Sequence, residues 1–133
     1  MRSRITAVAA VAAAALAAAS TAAADTMHPR LAARLSGMGE HGLVNFRSHA
    51  ATGKLCWTFD LHTQGVTHAS VRDTHGMVVA RLGRTYSPKA CAVVGKRALR
   101  LLESKPRGYV VWVDTKGHPG ELRGKLFAGM AHM

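Results

Sequence analysis

The segment Lys54–His62 constrains the fold most, because apolar side chains occupy every second position in it. The apolar residues Leu55, Trp57, Phe59 and Leu61 are separated from one another by polar or small residues. Successive side chains of a β-strand point to opposite faces, so a period of two predicts a strand with one buried face. The sequence therefore predicts a β-sheet that covers a hydrophobic core on one side.

Other short segments rich in β-forming residues are bounded by turn residues, and they predict further strands. These strands are expected at residues 42–49, 66–72, 77–82, 109–114 and 121–127, with a loop at 83–90. One helix is predicted near 95–104, because Leu99 and Leu102 form an apolar stripe that Pro106 ends. Many short strands with frequent turn signals predict an all-β, antiparallel sandwich or barrel.

The first 24 residues have the pattern of a secretion signal. Arg2 and Arg4 precede an uncharged, mostly alanine segment, and the small residues at 22–24 suit a signal peptidase. A membrane anchor is the alternative, but a spanning helix needs about 20 strongly apolar residues and alanine is only weakly apolar. We expect cleavage near Ala24, secretion to the extracellular side and no transmembrane segment afterwards. The predicted organisation is a signal peptide at 1–24, a flexible lead-in at 25–34 and one domain at 35–133.

The chain is strongly basic, with 18 Lys and Arg against 7 Asp and Glu. Loss of Arg2 and Arg4 with the leader leaves 16 basic residues and a net charge of +9. On the predicted helix, Lys96, Arg97 and Arg100 share one flank, because residues three and four apart are neighbours. This flank predicts attachment to an anionic cell-wall polymer, a polysaccharide or a membrane surface; a solvated face that aids solubility is the alternative. No specific nucleic-acid binding is expected, because aromatic residues do not interleave with the charges.

The two cysteines, Cys56 and Cys91, predict one intramolecular disulfide. An exported chain meets an oxidising environment, and two cysteines allow a single pairing. Closing a loop of about 35 residues stabilises a chain by about 3–4 kcal/mol in the chain-entropy account. Two free thiols are the alternative, whereas a redox or metal role lacks the usual Cys-x-x-Cys spacing.

Catalytic and metal-binding patterns are weak in this sequence. The histidines His49, His62, His68, His75 and His118 form no His-x-His or His-x-x-x-His pair, and such local pairs are typical of zinc and copper sites. The serines stand in no Gly-x-Ser-x-Gly elbow, and the acidic residues are scattered. We therefore expect no metal, no cofactor, no catalytic residue and no enzymatic activity.

The C-terminal part carries the most specific motif. It reads Tyr109-Val-Val-Trp-Val-Asp-Thr115, then a turn with His118-Pro119-Gly120, and then Glu121-Leu-Arg-Gly-Lys-Leu126. This pattern resembles the end of the CHRD domain, the module named after chordin, and the likeness extends diffusely from Leu35 to Phe127. The resemblance implies a secreted Greek-key sandwich or barrel of about 6–8 strands, with structural roles for Tyr109, Asp114, Glu121 and Arg123.

The resemblance also marks two departures from the family. Its members commonly carry a His-x-His pair in the middle strand and a His in the Tyr strand, but Ser70, Arg72 and Asp114 stand at those positions here. We therefore expect an Arg72–Asp114 ion pair in place of a histidine cluster. The expected function is that of a secreted, non-enzymatic CHRD-like protein that binds an anionic partner at the cell surface. A metal-dependent or redox enzyme with a superoxide-dismutase-like fold is the alternative.

Overall fold

The computed structural model describes residues 30–132. This range contains eight strands and one α-helix, and a short 3-10 turn at Pro106–Gly108 lies between the helix and the seventh strand. They are β1 (Arg30–Gly37), β2 (Glu40–His49), β3 (Lys54–His62), β4 (Val66–Asp73), β5 (Val78–Arg81), β6 (Lys89–Val93), α1 (Lys96–Ser104), β7 (Tyr109–Thr115) and β8 (His118–Ala128). The predicted leader at 1–24 lies outside the described residues.

The eight strands form one antiparallel sheet that curls into a half-barrel. The strand order is β5-β4-β7-β8-β1-β2-β3-β6, so β1 to β3 form a meander, β4–β5 and β7–β8 form hairpins, and the other connections join strands that are not neighbours. The segment between β5 and β6 links the two edges of the sheet. Its Tyr86 N–H donates to the Thr67 carbonyl on β4 at 2.8 Å, and its Pro88 carbonyl accepts from Phe59 on β3 at 2.7 Å. The predicted all-β antiparallel fold with one short helix is confirmed.

Strand β3 buries the face that its alternating sequence predicts. Leu55, Trp57 and Phe59 are buried, whereas Lys54 and Thr58 are exposed. The same inner face continues across the sheet, and α1 covers it with two buried leucines. The main core includes Leu31, Leu35, Val44, Phe46, Val71, Leu99, Leu102, Val111, Val113, Leu122 and Leu126.

Strand β1 corrects the predicted lead-in. It begins at Arg30, and Leu31, Ala32 and Ala33 are buried, so residues 30–34 belong to the sheet. The sequence hides the start of this strand because Ala32 on the outer face is buried as well as Leu31 and Ala33 on the inner face, which removes the alternation of apolar and polar residues there. Residues 25–29 of the lead-in lie outside the described range.

A second, small cluster explains why the outer face of β1 is covered. Ala32 packs with Leu43, Phe127 and Ala131 on the side of the sheet away from the main core. The Asn45 side chain holds the C-terminal segment there, because it accepts from Ala131 N–H at 2.7 Å and donates to Ala131 carbonyl at 3.1 Å. The Asn45 amide thus binds both the N–H and the carbonyl of Ala131, as the backbone of a neighbouring strand would.

Two further boundaries differ from the sequence prediction. Strand β6 occupies part of the predicted loop at 83–90 and continues to Val93. Strand β8 begins at His118, where the sequence predicts a turn, because Thr115 pairs directly with His118. The turn is therefore the two residues Lys116 and Gly117, and Gly117 has a φ of 84°, a conformation that glycine adopts easily.

Candidate functional site

The Cys56–Cys91 disulfide is present and joins two neighbouring strands. Cys56 on β3 lies directly opposite Cys91 on β6, with a Cα–Cα distance of 4.0 Å and an S–S bond of 2.04 Å. Because Leu55 and Trp57 point into the core, the intervening Cys56 places the bond on the outer face. The disulfide therefore holds the edge strand β6 onto the sheet without occupying the core.

The basic flank of α1 is exposed as the sequence predicts. Lys96, Arg97 and Arg100 are all exposed, while Leu99 and Leu102 on the opposite side of the helix are buried. None of the three cations forms an ion pair with another residue of the described range. The helix therefore presents three uncompensated positive charges within about one turn.

The only acidic residue of α1, Glu103, forms no ion pair with these cations. The carboxylate of Glu103 accepts a hydrogen bond of 3.0 Å from the hydroxyl of Ser48, a residue of β2 that is 0% exposed. Glu103 thus helps to anchor the helix on the sheet. Lys105 and Arg107, directly after the helix, are also exposed and extend the basic surface.

The hairpin of β7 and β8 is built around Asp114. Its Oδ1 accepts a hydrogen bond of 2.6 Å from the N–H of Gly120, which is buried. The carbonyl of Gly120 in turn accepts a bond of 3.0 Å from Nε of Arg123. Asp114 and Arg123 therefore both bind the backbone of Gly120 in this hairpin.

Arg72 does not pair with Asp114, so the predicted ion pair is wrong. Arg72 lies opposite Val110, whereas Asp114 lies opposite His68, and the Ser70–Trp112 pair separates them along the sheet. The Arg72 guanidinium stacks instead on the Trp112 ring, 4.2 Å from its centroid. An aromatic face attracts a cation, and the sequence pattern gave no sign that an indole would lie between the two.

Arg123 stacks on the same indole, 3.7 Å from the ring centroid. The neighbouring strands β4, β7 and β8 thus contribute Arg72, Trp112 and Arg123 to one stack. Gly120 makes room for this stack, because a Cβ atom there would lie 2.7 Å from the Trp112 ring. The stack fixes two guanidinium groups on the outer face of the sheet.

The other two motif residues have different surroundings. Tyr109 is half-buried and packs against the main core. Glu121 is half-buried and forms no ion pair with Arg123 or any other described residue. It lines an open cavity of about 660 Å³ instead.

This cavity lies where the β1–β2, β3–β4 and β7–β8 turns converge. Glu40, His62 and His118 line it together with Glu121. Glu40 Oε2 is buried and has no hydrogen-bond partner among the described residues, and neither has the hydroxyl of Thr63. Sequence spacing could not reveal this convergence, because the residues come from three separate parts of the chain, with only His118 and Glu121 on the same strand.

The described residues contain no group of three His, Cys, Asp or Glu side chains placed to hold a metal ion. His62 stacks on His41 at 4.7 Å between ring centroids, and its Nε2 lies 3.8 Å from Asp60 Oδ1. Burial, assisted by the negative charge of Asp60, raises the pKa of Tyr86 above its ordinary value of 10.0. Tyr86 is therefore neutral at physiological pH and packs edge-on against Phe59.

Within residues 30–132, no helix is long and apolar enough to span a bilayer. Comparisons with protein-family models and with curated proteins found no match to this chain.

Proposed function

We propose that this chain is an exported, non-enzymatic binding domain that attaches to an anionic partner outside the cytoplasm. The leader pattern at 1–24 and the disulfide support export, since such bonds persist in oxidising compartments. The fold contributes a stable sheet that carries charged residues on its outer surface. Electrostatic attraction supplies the binding energy in this proposal.

The exposed flank of α1 is the observation that carries the proposal. Lys96, Arg97 and Arg100 have no acidic partner in the described range, and Glu103 is engaged with Ser48. At physiological ionic strength the screening length is about 8 Å, so charges within one helical turn act together on a nearby anion. A flank of this kind attracts phosphate, sulfate or carboxylate groups without the need for a deep pocket.

Membership of the CHRD family is part of the same proposal. The antiparallel sheet supports it, as do the β7–β8 hairpin and the contacts of Asp114 and Arg123 with Gly120. The departures at Ser70, Arg72 and Asp114 set this chain apart from members that carry histidines there. Its outer face accordingly offers a stacked Arg–Trp–Arg arrangement where those members offer imidazoles.

Charge reversal on the helix tests the proposed function. The combined variant Lys96→Glu, Arg97→Glu and Arg100→Glu should lower retention on anionic polymer beads by about tenfold or more, a change of roughly 1.4 kcal/mol in binding free energy. A matched control reverses the exposed residues Arg81, Arg84 and Lys116, which lie away from α1. Equal retention of the wild type and the helix variant would contradict the role of the flank.

A further inference from the structure

A groove on the outer face of the sheet combines three cations with the disulfide. It has a volume of about 790 Å³ and runs across β1, β2, β3 and β6. Arg30, Arg47 and Lys89 line it and are exposed, and the Cys56–Cys91 bond forms part of its wall. No Asp or Glu is among the described residues that line the groove.

The placement of Arg30 and Arg47 is unfavourable unless an anion lies near them. The two residues are directly opposite each other on β1 and β2, and like charges in this position destabilise a sheet. Arg30 Nη1 contacts the thioether sulfur of Met130 at 2.9 Å, which is a weak acceptor and carries no charge. Neither arginine forms an ion pair in the described range.

The spacing of the cations defines what the groove can hold. Neighbouring strands lie about 4.8 Å apart and each residue rises about 3.4 Å along a strand, so Lys89, which is two strands and two residues from Arg47, lies about 12 Å from it. Arg47 is level with Cys56 and Cys91, whereas Lys89 is level with Thr58, so the two cations are placed diagonally on the outer face. A ligand with at least two separate anionic groups along its length can therefore contact all three cations with their side chains extended.

The disulfide fixes this spacing. β6 is an edge strand, and its pairing with β3 at Cys56 and Cys91 holds Lys89 beside Thr58. The groove lies at the same end of the half-barrel as α1, because His49 lines it and the following turn reaches the helix. In that turn the Gly53 carbonyl accepts hydrogen bonds from Val94 and Gly95, directly before α1.

We propose that this groove binds a linear anionic polysaccharide, with Arg30 and Arg47 on one oxyanion and Lys89 on the next. The inference rests on the proposed function and assigns its ligand class and principal site. A concave trough suits an extended chain better than the plane of a membrane surface. Single-stranded nucleic acid would need an aromatic stacking platform, but Trp57 and Phe46 are each only 3% exposed.

The test compares two variants that remove the same charge from the full mature chain. One carries Arg30→Gln, Arg47→Gln and Lys89→Gln in the groove, and the other carries Lys96→Gln, Arg97→Gln and Arg100→Gln on α1. Titration with dextran sulfate, with neutral dextran as the control, should show a loss of affinity of about tenfold or more for the groove variant. The helix variant should lose clearly less.

The single variant Arg47→Gln separates binding from folding. Because it relieves repulsion from Arg30, its thermal midpoint without ligand should equal or exceed that of the wild type, while its affinity for dextran sulfate falls. Arg47→Lys should retain more affinity than Arg47→Gln.

Three results would overturn the inference. Equal losses in the groove and helix variants would show that net charge alone matters, and the proposed function would survive without the groove. Tighter binding to anionic phospholipid vesicles or to a single-stranded oligonucleotide than to dextran sulfate would reject the ligand class. Failure of the wild type to bind any of these anions would reject the proposed function together with the inference.

Discussion

Asp114 makes a contact at the residue scale that organises the whole β7–β8 hairpin. Its carboxylate accepts the buried N–H of Gly120, whose carbonyl is bound by Arg123. Arg123 is thereby oriented on Trp112, which also carries Arg72. One short polar side chain thus fixes the turn and, through it, a stack of three side chains on the outer face.

Removing the Asp114 carboxylate should destabilise the protein. Asp114→Ala leaves the buried Gly120 N–H without its acceptor, at a cost of about 1–3 kcal/mol in the free energy of unfolding. Asp114→Asn keeps an acceptor oxygen and should lose less. Urea denaturation of both variants checks this, and equal stabilities for the alanine and asparagine variants would contradict the role of the hydrogen bond.

At the element scale, the edge strand β6 depends on the disulfide. The strand is short, spanning Lys89–Val93, and it pairs only with β3 in the sheet. The Cys56–Cys91 bond closes a loop with a sequence separation of 35 residues. The bond therefore restricts the unfolded chain and also holds Lys89 beside the groove.

The double variant Cys56→Ser and Cys91→Ser should lose about 3–4 kcal/mol of unfolding free energy, as the chain-entropy account gives for a loop of this length. Chemical denaturation checks the magnitude, and reduction of the wild type should produce the same loss. Alkylation of the mature protein without reductant would show free thiols and contradict the bond itself.

The sequence predicts some elements well and others poorly, for physical reasons. β3 is recognisable because one of its faces is buried and the other is solvated, and α1 is recognisable from its leucine spacing and Pro106. β1 is not, because its run Leu31-Ala32-Ala33 is buried on both faces. β6 is short and follows a turn, so local composition favoured a loop.

The candidate site was predictable only where it depends on local spacing. The flank of Lys96, Arg97 and Arg100 follows from helical periodicity, and the disulfide follows from the cysteine count. The groove and the Arg72–Trp112–Arg123 stack depend on strand order and register. Arg30 and Lys89 are far apart in the sequence, and they line one groove only because β2 and β3 lie between β1 and β6 in the same sheet.

At the scale of the whole molecule, one end of the half-barrel carries both basic surfaces. His49 lines the groove on the outer face, and Gly53 in the turn that follows it bonds to the segment before the helix. The cavity that contains Glu40 and Glu121 lies instead at the β1–β2, β3–β4 and β7–β8 turns. The molecule therefore offers anions two basic surfaces at this end, in addition to exposed cations elsewhere such as Arg81, Arg84 and Lys116.

The salt dependence of binding tests the central claim most directly. The apparent Kd of the mature protein for dextran sulfate should be measured by titration as NaCl rises from about 50 mM to about 500 mM, a range over which the screening length falls from about 14 Å to about 4 Å. An electrostatic binding domain predicts a progressive loss of affinity of at least about tenfold and no binding to neutral dextran. An affinity that does not change with salt, or equal binding to dextran and dextran sulfate, would contradict the account.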